Sequence, residues 1–179
     1  VGDLDGDGVA DLAVGAYSDS TYGIYRGAVH VLLLKSDGTV KSSTKIASGT
    51  NGELTLADYD GFGSSVTSLG DLDGDGVADL AVGASSDSTG GHRRGAVHVL
   101  LLNSDGTVKS STKIASGTSG GPTLADRDRF GSSVAAVGDL DGDGITDLAV
   151  GAIRDSTGGT YRGAVHVLFL SPLLDFGDA

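Results

Sequence analysis

Asp3-Leu4-Asp5-Gly6-Asp7-Gly8-Val9-Ala10-Asp11 is the stretch that decides the fold, because it returns twice in phase, at residues 71–79 and 139–147. Both spacings are 68 residues, and each copy sets four carboxylates and two glycines in nine positions. Two carboxylates about 4 Å apart repel by about 4 kcal/mol at an effective dielectric near 20. A loop that gathers four of them calls for a cation. The competing reading is an Asp-Gly turn that binds nothing.

The spacing suits an ion ringed by alternate residues. Asp3, Asp5 and Asp7 offer side-chain oxygens, Val9 a backbone carbonyl and Asp11 a further carboxylate. Gly6 and Gly8 let the backbone close around the ion. The other two loops supply Asp71, Asp73, Asp75, Val77 and Asp79, then Asp139, Asp141, Asp143, Ile145 and Asp147. A donor set without His or Cys disfavours zinc and copper. Calcium takes six to eight oxygens, whereas magnesium keeps several waters. The expectation is three Ca2+ ions, one per loop. The first six positions match an EF-hand loop, but Val14 stands where that loop needs Glu. The pattern is a strand-loop-strand calcium site.

Composition narrows the function classes. Of 24 acidic residues in a chain of net charge −12, twelve lie in the three loops, and the rest balance the 12 Lys and Arg. No basic run suggests nucleic acid. No apolar stretch approaches the roughly 20 residues that cross a membrane as a helix. Cysteine is absent, which excludes disulfides and thiol chemistry. No signal peptide is visible, and the chain opens inside a loop motif.

Residues 1–68 and 69–136 differ at 13 positions, and residues 137–170 continue the pattern. The expected organisation is one repeat array over 1–170, with a non-repeat tail at 171–179. Copies this alike argue against a catalytic site, which needs unlike residues to converge. Each unit reads as four short strands, at 64–69, 78–83, 96–102 and 108–114 in the second copy. The second of these is small and apolar on both faces, so buried on both. An Asp105-Gly106 turn joins the last two. The last strand alternates, and its lysines look like guards against edge pairing. The fold class is all-β: antiparallel four-stranded β-propeller blades, about 2.6 of them. Both terminal blades are incomplete, which implies an incomplete ring or part of a larger array.

Other repeated polar residues have plainer readings. His30, His98 and His166 sit in the third strands as packed, hydrogen-bonded core histidines, with a ring around a channel as the alternative. Arg26, Arg94 and Arg162 read as intra-loop partners of Asp19, Asp87 and Asp155. Asp58, Asp60, Asp126 and Asp128 read as solvated loop acids, with a weak second cation site as the alternative. Residues 117–121 formally match a nucleophile elbow but lack its strand-turn-helix setting. The loops at Tyr22-Gly23-Ile24-Tyr25, Gly90-Gly91-His92-Arg93 and Gly158-Gly159-Thr160-Tyr161 vary most, which is where specificity usually lives.

Phe62-Gly63-Ser64-Ser65-Val66, the loop at 71–79, and Leu80-Ala81-Val82-Gly83-Ala84 together resemble FG-GAP repeats. These form the propeller blades of integrin alpha subunits and of related bacterial surface and secreted proteins. The proline that closes the family's Gly-Ala-Pro is Tyr17, Ser85 or Ile153 here. The resemblance implies that the fifteen loop residues above ligate structural calcium on the blade rims. It also implies a non-enzymatic, extracellular or cell-surface protein serving adhesion or structure. Protein or glycan ligands at the variable loops and other copies of the chain are the expected partners. The alternatives are a self-assembling protein that forms oligomers or filaments through its unfinished blades, and an accessory propeller of a larger secreted enzyme.

Overall fold

A computed structural model describes residues 1–50 and 54–171. The non-repeat tail expected at 171–179 lies outside the described residues except for Ser171. The described residues form ten strands and no helix. The strands are β1 Leu12–Ala16, β2 Ala28–Leu34, β3 Val40–Ala47, β4 Phe62–Gly70, β5 Asp79–Ala84, β6 Ala96–Leu102, β7 Val108–Ala115, β8 Phe130–Gly138, β9 Asp147–Ala152 and β10 Ala164–Leu168. They pair as three antiparallel sheets, β1-β2-β3, β4-β5-β6-β7 and β10-β9-β8. These are the blades of an unclosed β-propeller, one with four strands and two with three.

The central blade runs from Phe62 to Ala115. Its sheet is therefore offset from the repeat phase, which cuts β4 between Ser68 and Leu69. All six residues of β5 are buried, and the five after Asp79 are apolar, as burial on both faces requires. Alternation along the strands feeds two cores. Leu80, Val82, Leu100 and Leu102 meet Val29, Val31 and Ile46 of the first blade. Ala81 and Val97 meet Phe130, Leu148 and Val150 of the third.

The Phe-Gly and Val-Gly-Ala motifs meet at the seams. Gly63 takes φ +85° within a bulge of β4, and a Cβ on Gly15 would lie 2.1 Å from its carbonyl oxygen. Gly83 meets the Gly131 oxygen the same way, at 2.0 Å. Only glycine permits this approach of two backbones. Phe62 and Phe130 accept the same seam geometry, donating their N–H groups to the Arg26 and Arg94 carbonyls at 2.9 Å each.

Candidate metal centre

The acidic loops at 71–79 and 139–147 join β4 to β5 and β8 to β9, the loop at 3–11 leads into β1, and their own aspartates fold them. Asp3 Oδ1 accepts the amides of Gly6 at 2.8 Å and Asp7 at 3.1 Å, while its Oδ2 accepts that of Gly8 at 2.8 Å. Both glycines adopt φ values an L side chain avoids, +76° and +86°. Asp71 and Asp139 repeat this cradle. The amide of Gly144, with those of Gly142 and Asp143, holds the Asp139 carboxyl below its ordinary range.

The last aspartate of each loop sits at the base, and Asp11, Asp79 and Asp147 are buried. Asp79 Oδ2 accepts the Leu72 amide at 2.8 Å and its Oδ1 the Leu102 amide at 3.0 Å. Asp11 binds Leu4 and Leu34, and Asp147 binds Leu140 and Leu170, in the same way. One carboxylate thus ties the loop to the end of β2 or β6, or to the segment just after β10, a role the spacing of the loop alone did not reveal. Burial pushes the Asp79 carboxyl above its ordinary range, against the pull of its two amides, and the charges of Asp73 and Asp75 push the same way.

Three of the four carboxylates converge in every loop. Asp3, Asp5 and Asp11 bring one oxygen each within 4.8 Å of one another, as do Asp71, Asp73 and Asp79, and Asp139, Asp141 and Asp147. Asp7, Asp75 and Asp143 stand outside these triads. Their Oδ1 atoms accept the amides of Val9, Val77 and Ile145 at 2.9, 2.9 and 2.8 Å.

Two loops already hold a cation. Lys41 Nζ lies 2.7 Å from Asp5 Oδ2 and 2.9 Å from Asp7 Oδ2. Lys109 Nζ lies 2.6 Å from Asp73 Oδ2 and 2.9 Å from Asp75 Oδ2. The lysines come from the outer strands β3 and β7, and their pairing raises both ammonium pKa values. An ammonium held by two carboxylates is a stand-in for a bound ion, and the all-oxygen donor set fits a hard one. The third loop has no lysine partner among the described residues.

The remaining candidates are rearranged. Arg26 pairs with Asp58 at 2.7 Å and Arg94 with Asp126 at 2.9 Å, so neither serves its own loop's aspartate. Asp19 pairs instead with Lys45 at 2.8 Å, which lowers its carboxyl to about 2, and Asp87 with Lys113 at 2.7 Å. Asp60 and Asp128 are buried rather than solvated, and burial raises the Asp60 carboxyl to about 6. His98 packs edge-on against Phe62, with centroids 5.3 Å apart, and its buried Nε2 has no hydrogen-bond partner. The central histidine is therefore packed as expected, but that nitrogen is not bonded. Burial lowers its pKa to about 4.

The sequence model described as "FG-GAP repeat" matches residues 1–32, 62–100 and 130–168. The chain is similar to Integrin alpha-5 of Xenopus laevis, 36% identical over 166 residues that make up 90% of this chain and 15% of that one. It is similar to Integrin alpha-4 of Xenopus laevis, 35% identical over 150 residues, which are 84% of this chain and 13% of the relative. Human Integrin alpha-IIb is 34% identical over 168 residues, 90% of this chain and 15% of its own length. The chain thus spans about one seventh of the curated relatives it matches.

Proposed function

Because the chain belongs to the FG-GAP repeat family, we propose that it is a non-enzymatic, calcium-binding propeller segment of an extracellular adhesion or surface protein, with the array spanning residues 1–170. The convergence of three carboxylates in each loop, at the entry to β1, β5 and β9, carries this reading. Asp3, Asp5, Asp7, Val9 and Asp11 would hold one ion, and their counterparts in the second and third loops two more. The ion would neutralise the carboxylate charge that a single lysine leaves unbalanced in the first two loops and that no described lysine meets in the third. Sites of this kind suit calcium outside cells, at roughly millimolar concentration. The variable loops at the opposite end of the blades would carry recognition.

A calcium titration tests the reading. A ligand that binds only the folded chain at 100 times its Kd stabilises it by about 2.7 kcal/mol per site. The melting midpoint should rise with calcium and fall with chelator, and calorimetry should count one ion per loop. An unchanged midpoint in excess chelator sinks the proposal.

Edge exposure supports a second reading, assembly through the unfinished blades. Among the described residues β1 and β10 each pair on one side only, and Val14 and Val165 on them are 45% and 70% exposed, so each outer sheet offers an apolar edge. Sedimentation in calcium would report oligomers, and a compact monomer at every concentration would exclude them.

A further inference from the structure

Units 1–68 and 69–136 differ at 13 positions, and four of these install a basic side chain in the second unit. Ile24 becomes His92, Tyr25 becomes Arg93, Tyr59 becomes Arg127 and Gly61 becomes Arg129. Arg154 likewise stands where the earlier units have Ser18 and Ser86. These residues are distant in sequence but meet at the seam between the second and third blades. Arg127 N–H donates to the His92 carbonyl at 2.8 Å, Arg129 N–H to that of Arg93 at 3.4 Å, and Arg154 N–H to that of Asp128 at 3.1 Å.

The first seam carries the same ladder with other side chains. Tyr59, Gly61 and Ser86 donate to the carbonyls of Ile24, Tyr25 and Asp60 at 2.7, 3.1 and 3.1 Å. There the frame presents an aromatic pair, Tyr25 and Tyr59, with ring centroids 5.9 Å apart. One backbone frame thus displays aromatics at one seam and guanidinium groups at the next.

The cluster is not neutralised internally. Arg26 and Arg94 have aspartate partners, whereas Arg93, Arg127, Arg129 and Arg154 make no ion pair among the described residues. Of the neighbouring acids, Asp126 pairs with Arg94, while Asp128 and Asp155 accept the Ala125 and Thr157 amides and form no ion pair with the four arginines. Arg129 Nε is buried and has no acceptor. Burial, with the like charges of Arg154 and Arg93, pushes that guanidinium below its usual range. Arg129 also takes φ +58°, at the position where Gly61 turns without strain. Like charges, an orphaned donor and a left-handed arginine together mark a site organised for something other than folding.

We propose that this seam binds an acidic peptide segment of a partner protein, whose carboxylates enter the cluster of Arg93, Arg127, Arg129 and Arg154. A guanidinium fork matches a carboxylate in two parallel hydrogen bonds. Arg93 also lines the adjoining hollow with Tyr17, Tyr25 and Tyr59, so the cationic spot runs into an aromatic one. Tyrosine and arginine are the side chains enriched where proteins bind proteins. The chain as a whole carries −12, so it repels a long polyanion at range. A short acidic segment gains from the cluster within a Debye length of about 8 Å.

The probe is a fluorescein-labelled peptide of alternating glutamate and tyrosine, read by anisotropy on the whole chain in calcium. A glutamine-for-glutamate peptide is the control, and a sulfated oligosaccharide forms the third arm. The combined Arg93→Tyr, Arg127→Tyr, Arg129→Gly and Arg154→Ser variant restores the residues the same frame holds at the first seam. Binding of the glutamate peptide alone is expected, weakened about tenfold or more in the variant. The reciprocal Tyr25→Arg, Tyr59→Arg, Gly61→Arg and Ser86→Arg variant should add a second site, which keeps the test decisive if the first variant melts early. Equal binding of the two peptides, or full binding by the first variant when folded, overturns the proposal. So does a reciprocal variant that gains no site, and so does binding confined to the sulfated oligosaccharide.

Discussion

β6 and β10 are nearly the same strand in different places. They share Ala-Val-His-Val-Leu, yet Val97 in β6 is 0% exposed and Val165 in β10 is 70% exposed. The difference comes from neighbours. β6 lies between β5 and β7, whereas β10 pairs with β9 alone among the described residues. The histidines diverge in step. His98 is sealed beside Phe62, with Lys113 committed to Asp87. His166 packs edge-on against Phe130 as well, but its side chain is 23% exposed, no lysine pairs with Asp155 among the described residues, and its Nε2 lies 3.9 Å from that carboxylate. A repeat therefore gives the same side chain different physical chemistry according to its place in the array.

The largest expected contrast is in pH. Burial lowers the His98 pKa from 6.5 to about 4. A folded pKa below the unfolded one means that the unfolded chain binds more protons. The stability from neutral His98 is thus complete above about pH 6.5 and lost as pH falls toward 4. At about 1.4 kcal/mol for each pH unit, the full loss is about 3 kcal/mol. Urea unfolding across that range should show this limb, and His98→Gln should flatten it. A limb that persists unchanged in the variant would mean that the ring is not sealed.

Next comes packing. Val97→Ala removes two methyl-sized groups from a closed core and should cost about 2 kcal/mol. Val165→Ala should stay within about 0.5 kcal/mol, as exposed substitutions do. Equal costs in denaturant would mean that β10 is covered in solution, which would favour assembly over an open edge.

The smallest contrast concerns the loops. Lys109 already occupies carboxylates of the second loop, so an incoming ion must compete with it. Lys109→Gln should tighten calcium binding there a few-fold and leave the third loop unchanged. Site-resolved calorimetry or NMR titration would detect it. No change at the second loop would show that the ammonium and the ion occupy different oxygens.

Most of the blade was legible because its determinants are local. The Asp105-Gly106 turn, the alternation from Val108 to Ile114 and the apolar run of β6 each specify a strand within a few residues. The acidic loops were legible for the same reason, since their four carboxylates lie within nine positions, but that three of the four converge was not. Lys109 was not. Read as an edge guard, it reaches Asp73 and Asp75 from 36 and 34 residues away, a meeting that exists only once the blade has closed. Asp60 was misread because a polar residue in a Gly-rich loop looks solvated until the next blade covers it.

By itself the sequence determined the all-β repeat, the strand order within a blade and the acidic loops, because each rests on short-range periodicity and charge. The tertiary structure alone decided which copy of a repeated residue is buried. It paired Arg26 with Asp58 rather than Asp19, and it gathered four arginines from three loops at one seam. Those outcomes depend on contacts between blades, where backbone approach at Gly63 and Gly131 fixes which loops become neighbours.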